Sequence, residues 1–116
     1  MKWGDFLFRI VNNNISIIRG DSATITLTVT DSNGEAYTIL PTDTVTMMVR
    51  KTPETEAVLT KTFADATLNI APADTSSLSA GNYVYDVQLV HQDGWTDTII
   101  PVHQFVVLPE VTYGGE

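Results

Sequence analysis

Two histidines, His91 and His103, and fourteen carboxylates are the side chains here with most capacity for chemistry. Both imidazoles fall in or beside a strand-like stretch, residues 78–108, so they are in reach of pairing across a hairpin. Two imidazoles without a nearby cysteine or a third fixed ligand make a poor zinc site. The chain has no cysteine, and the two histidines read as surface residues. Ser-His-Asp catalysis needs a nucleophile on a sharp elbow beside an oxyanion hole. No G-x-S-x-G occurs, and Ser22 and Ser76 are turn serines. A phosphate loop and a dinucleotide glycine pattern are also missing. A glycosidase needs two carboxylates facing each other in a cleft. The acids fall mainly in turns, and nothing selects Asp86 and Asp97 of the hairpin as a pair. Asp31, Asn33 and Glu35 alternate their oxygens like the start of a calcium loop. The downstream bidentate glutamate and the flanking helices are missing, so the run reads as a turn. Arg19-Gly20-Asp21 matches a tripeptide read by adhesion receptors. A glycine between two strands is equally what a positive-φ turn requires. The residues assign no catalytic group, no cofactor site and no metal site.

Composition narrows the partners. A chain of 116 residues fits one domain, able to bury roughly two thirds of its unfolded surface. Without cysteine, disulfides and Cys-ligated metals are excluded, and the fold must rest on its core. The formal charge of −8, with six scattered Lys and Arg, opposes nucleic acid and an anionic membrane surface. No apolar run of about 18 residues exists to form a transmembrane helix. The start, MKWGDFLFRIVNNN, mixes charge with apolar residues and lacks the pattern of a signal peptide.

The elements that must position these groups are strands. Residues 78–108 read as two long strands joined at Asp93-Gly94. Tyr83, Tyr85, Val87 and Leu89 fall on one face, with Asn82, Asp86 and Gln88 on the other. Residues 23–30, ATITLTVT, read as one strand with Ile25, Leu27 and Val29 inward. Residues 44–51 read as another, with Val45, Met47 and Val49 inward and Met48 outward. Shorter strands are expected at 15–18, 35–39, 57–63 and 67–70. Residues 71–78, with Pro72 near Asp74, predict a single helical or 3₁₀ turn. Pro101 predicts a bend, a bulge or an edge in the last strand. Leu78-x-x-Gly81-x-Tyr83 matches a tyrosine corner, in which the phenol bonds back to the preceding connection. The first fourteen residues are ambiguous. Trp3, Phe6, Leu7 and Ile10 follow helical spacing, whereas Phe6, Phe8 and Ile10 alternate like a strand. Trp3, Phe6, Phe8 and Ile10 therefore form either an arm that docks on a neighbouring subunit or an edge strand on their own core. The expected fold is all-β: an immunoglobulin-like β-sandwich of seven to eight antiparallel strands with Greek-key connections. A small barrel is the alternative. The expected division is an N-terminal arm or edge segment at 1–14, the sandwich at 15–112, and a tail at 113–116.

The runs IRGDSATITLTVTDSNGEAYTI, TVTMMVRK, DTSSLSAGNYVYDVQL, HQDG and QFVVLPEVT resemble the small immunoglobulin-like domains of tailed-phage structural proteins. The nearest are the N-terminal domains of baseplate upper proteins and similar prophage tail modules. The resemblance covers residues 15–112 and rests on fold-bearing motifs. It implies attachment to a virion assembled in a bacterial cytoplasm, contacts with other tail proteins, homo-oligomerisation, and no catalysis or cofactor. The chain departs from that family in ending at Glu116, where a longer baseplate protein would continue into an oligomerising and receptor-binding part; a standalone accessory, a fragment and a different protein sharing the domain all fit. A second reading is an immunoglobulin-like adhesion or carbohydrate-binding domain on a bacterial surface. That reading would need export and would use exposed aromatics such as Trp95.

Overall fold

The computed structural model describes residues 13–30 and 34–110, with the backbone of two short strands at 2–3 and 9–11. Eleven strand segments and one short helix follow in the order β1 (Lys2–Trp3), β2 (Arg9–Val11), β3 (Asn14–Ile18), β4 (Ala23–Thr26), β5 (Val29–Thr30), β6 (Ala36–Tyr37), β7 (Thr44–Arg50), β8 (Ala57–Thr62), β9 (Thr67–Ile70), α1 (Pro72–Ser76), β10 (Gly81–Val90) and β11 (Thr96–Leu108). They form a six-stranded sheet, β2-β3-β11-β10-β7-β8, a three-stranded sheet, β1-β4-β9, and a two-stranded ribbon, β5-β6. The described residues are all-β apart from α1.

The central strand is β10, which pairs with β11 on one side and β7 on the other. Its period-two pattern sends Tyr83, Tyr85, Val87 and Leu89 inward, and all four are buried. Val45, Met47 and Val49 of β7 and Phe105 and Val107 of β11 join them, together with Ile15 and Ile17 of β3. The opposite sheet contributes Ala23, Ile25, Leu68 and Ile70 to the same cluster. Strict alternation makes this face unambiguous, because a slip of one residue would turn every apolar side chain to water. The Tyr85 and Phe105 rings meet edge to face at 6.2 Å, the arrangement that aromatic quadrupoles favour. The Tyr85 hydroxyl, buried with its ring, donates to the Asn13 carbonyl at 2.5 Å. Asn13 itself has φ 67, a left-handed conformation that asparagine tolerates better than most residues. Burial holds the Tyr85 phenol well above its ordinary pKa.

Three expectations are corrected. First, the strands are not all antiparallel: β3 runs parallel to β11, with Phe105 beside Ile15 and Leu108 beside Ile18. These strands lie near opposite ends of the sequence, and the intervening domain supplies the long crossover that a parallel pair needs. Second, residues 23–30 do not form one strand. The ladder of β4 with β9 ends at Thr26 opposite Thr67, because β9 starts there after a turn with Asp65 at φ 56. Leu27 takes one more bond, from its amide to the Ala66 carbonyl at 2.7 Å. Val29 and Thr30 then pair with Tyr37 and Ala36 in the separate ribbon. Third, the extra short segments raise the strand number above seven or eight.

Other expectations match. Pro101 sits at a bulge: His103 faces Tyr85 and Ile100 faces Val87, so Pro101 and Val102 together face Asp86. A proline has no amide to give to the ladder, and a bulge removes the need for one. The helical turn is α1, with Pro72 at its start and Asp74 accepting the Ala71 amide at 2.8 Å. The tail at 113–116 lies outside the described residues.

Two substitutions separate the ring from the hydroxyl in this core. Phe105→Ala is expected to cost about 3–5 kcal/mol, as for other large aromatic truncations. Tyr85→Phe keeps the ring and loses one buried hydrogen bond, for about 1 kcal/mol. Urea denaturation midpoints measure both, and equal losses would contradict this division.

Candidate functional site

A polar cluster lies at the tip of the β10–β11 hairpin. Asp93-Gly94 makes the turn: the Gly94 amide donates to the His91 carbonyl at 2.9 Å, and the His91 amide to the Trp95 carbonyl at 2.8 Å. This sets His91 just beyond β10 and Asp97 just inside β11. The His91 ring lies between two carboxylates, with Nδ1 3.1 Å from Asp43 Oδ1 and Nε2 3.2 Å from Asp97 Oδ2. Asp43 belongs to the loop before β7. Its side chain is only 1% exposed, and its second oxygen accepts from the Tyr37 hydroxyl at 2.6 Å and the Leu40 amide at 2.9 Å. Tyr37 also meets the imidazole edge to face at 6.1 Å. The Trp95 indole Nε1 donates to Asp97 Oδ1 at 3.2 Å, yet Trp95 remains 67% exposed.

These contacts shift three titrations. The Tyr37 hydrogen bond, then the Leu40 amide, hold Asp43 below the ordinary carboxylate value, against partial desolvation. The same bond, seen from the other side, raises Tyr37. For His91, desolvation opposes the charge, but hydrogen bonds to Asp97 and Asp43 outweigh it and raise the pKa. A neutral imidazole has one N–H and can donate to only one carboxylate, whereas imidazolium donates to both.

The cluster borders a cleft of about 610 Å³, within the range of small-molecule sites. Thr28, Thr30, Tyr37, His91 and Thr98 supply polar walls, over a floor that includes Leu27, Leu89 and Ile100. The arrangement can hold or release a proton and can offer hydroxyls. It does not chelate: the two ring nitrogens face carboxylates on opposite sides of the imidazole. No group of three metal-binding side chains converges among the described residues.

The predicted site residues are placed separately. His91 and His103 do not pair, because His103 stands opposite Tyr85, well down the hairpin. The His103 Nδ1 is 2.6 Å from the Pro101 carbonyl and donates to it. Asp86 and Asp97 are likewise far apart along β10 and β11. Asp31 and Asn33 lie outside the described residues, and so do Phe6 and Phe8. Trp3 and Ile10 lie in the backbone of β1 and β2, which pair with β4 and β3 of the same chain. Tyr83 donates from its hydroxyl to the Ser79 carbonyl at 2.8 Å, in the connection that carries Leu78 and Gly81. Gly81 has φ +152, a conformation in which only glycine is at ease.

Arg19 of the Arg-Gly-Asp run turns inward. Its Nη2 and Nε reach Glu110 Oε1 at 2.6 and 2.8 Å, and Nη1 reaches the Leu78 carbonyl at 3.2 Å. The guanidinium holds the Glu110 carboxyl below its usual range. The Gly20 amide donates to Oγ1 of the fully buried Thr75 at 2.9 Å. The tripeptide therefore fastens the β3–β4 turn to α1 and to the exit of β11. Asp43 and Tyr37 were missed as partners of His91, since each is more than forty residues away from it. The one local signal was Leu40-Pro-Thr-Asp43, where the carboxylate turns back on an amide three residues earlier.

Comparison with protein-family models gives no match, and comparison with curated proteins gives none. No helix among the described residues is long and apolar enough to cross a membrane.

The pH dependence has a definite sign. The His91 pKa is raised above 6.5, so its contribution is complete below 6.5 and is lost as pH rises through the raised value. The Asp43 pKa is lowered below 3.8, so its contribution is complete above 3.8 and is lost as pH falls through the lowered value. Both are intact together between those two ordinary values. An NMR titration should place His91 above a model imidazole, and Asp43→Asn should bring it down. An unshifted His91 would mean that the bridge does not form in solution.

Proposed function

We propose that the chain is a non-enzymatic protein-interaction module of a phage or prophage tail or baseplate, built on an immunoglobulin-like Greek-key sandwich. The fold reading is supported by strand order. The sheet β3-β11-β10-β7-β8 opposes β1-β4-β9 across one core, with β3 parallel to β11. The link from β9 to β10 crosses between sheets through α1 and enters β10 at Gly81, two residues before Tyr83. This is the order of first and last strands, and the position of the tyrosine, that immunoglobulin-like domains use.

The functional reading rests on the resemblance of residues 15–112 to phage structural domains. The structural observation that carries it is the open edge of the larger sheet at β8. Its outward positions Val58, Thr60 and Thr62 are neutral, exposed and β-branched. An edge of this composition suits assembly with other chains. Tail proteins, and further copies of this chain, are the proposed partners, with the virion as location. Mass spectrometry of phage particles purified from the encoding organism should find the chain as a stoichiometric component. Its absence from particles, with recovery in the cell envelope, would sink the proposal.

One observation favours the second reading, a glycan-binding domain on a bacterial surface. Trp95 offers an exposed indole held by Asp97, beside a cleft walled with hydroxyls. Under that reading a glycan array gives binding that Trp95→Ala abolishes without changing the thermal midpoint. Under the tail-module reading the array is blank.

A further inference from the structure

The edge strand β8 has a free side whose partner can be named from its register. Phe63, directly after β8, donates its amide to the Val45 carbonyl of β7 at 2.8 Å. Lys61 pairs with Met47 and Leu59 with Val49. In an antiparallel ladder alternate residues direct both backbone groups to the same neighbour. Leu59, Lys61 and Phe63 thus bond to β7, and Thr60 and Thr62 direct their amides and carbonyls away from the sheet. Among the described residues no strand lies beyond β8 in this sheet.

Side chains follow the same alternation. Phe63 is buried, Leu59 packs against the core, and Lys61 lies on that side too, its Nζ 2.9 Å from Asp74 Oδ2 of α1. Val58, 43% exposed, Thr60 and Thr62 face solvent. Edges are commonly blunted by outward lysines, prolines, bulges and inward-pointing charges. No outward lysine or proline occupies residues 58–62, the inward Lys61 is neutralised by Asp74, and the bulge at Val58 leaves Leu59 to Thr62 in a regular ladder with β7.

We infer that the occupant of this edge is a second copy of the same strand, antiparallel about a two-fold axis through Thr60. This deepens the protein-interaction reading and rests on it. The register sets Thr60 against Thr60 of the second copy, Val58 against Thr62, and Leu59 against Lys61. Thr60, in the regular part of the ladder, then gains backbone partners, while Thr62 falls opposite the bulge at Val58. No charged residue faces a like charge: Lys61 meets a leucine, and Glu56 meets Ala64. Centring the axis on Lys61 instead would oppose two ammonium groups, which disfavours that register. A peptide from an unrelated protein has no such constraint from this sequence, whereas self-pairing needs every position to tolerate its symmetric partner. With −8 on each copy, long-range repulsion opposes association and salt screens it.

Sedimentation velocity across micromolar to millimolar protein tests the pairing. A concentration-dependent dimer is expected, strengthened by raising salt. Thr60→Lys puts two ammonium groups on the axis and should weaken it at least about tenfold, as should Thr60→Glu. Mixing the two variants should restore a dimer, now a heterodimer. Both variants change an exposed side chain, and a wild-type denaturation midpoint shows that each still folds. Hydrogen exchange should slow at the Thr60 amide with concentration, and stay constant at Lys61. A monomer throughout, or a dimer that Thr60→Lys leaves intact, overturns the inference. A monomer that is nonetheless found in purified particles overturns only the self-pairing and leaves the virion reading standing. A dimer absent from particles does the reverse.

Discussion

Tyr85 packed on Phe105 is the contact on which the rest of the molecule depends. It lies on the central strand β10, between β7 and β11, where the larger sheet takes its register from both sides. The ring must be buried, because leaving so large an apolar surface in water is costly. Once it is buried the hydroxyl needs an acceptor, because an unpaired polar group inside a core costs more than a hydrogen bond returns. The acceptor is the carbonyl of Asn13. A packing decision on β10 thereby fixes where the chain turns before β3, and so where β3 can lie parallel to β11. Tyr83 repeats the logic two residues earlier by holding Ser79.

Polar ties gather at the two ends of the fold and leave its middle apolar. At one end Arg19, Glu110, Thr75 and the backbone of Leu78 and Gly20 bind α1 to the first and last long strands. At the other, His91 binds the hairpin tip to Asp43 and, through it, to Tyr37. The ends differ in kind. The guanidinium is charged at every accessible pH and holds Glu110 ionised below the ordinary carboxylate range, so the first tie persists through neutral pH. The His91 imidazole loses a donor as pH rises through its raised pKa, so the second is conditional. The conditional tie also borders the cleft of about 610 Å³ and carries the exposed indole.

Much of the architecture was legible along the chain because alternation is a local signal. The inward sets on β7 and β10, the Asp93-Gly94 turn, the helical turn at Pro72 and the interruption at Pro101 each follow from a few consecutive residues. The longest clean alternation, residues 23–30, still misled. Alternation says which side chains would share a face, not how far a neighbouring strand extends. β9 begins only at Thr67, so the β4 ladder runs out at Thr26 whatever follows it.

The sequence by itself determined an all-β chain with a period-two core, no cysteine chemistry and a strongly acidic surface. These are properties of residue type and spacing, which survive without knowledge of any partner. Only the tertiary structure decided that Arg19 faces Glu110, that His91 bridges Asp43 and Asp97, that β3 lies parallel to β11, and that β8 is left at an edge. Each of these joins or separates residues far apart in the chain. Which distant residues meet is set by how the two sheets close over Tyr85 and Phe105, and no local spacing records it.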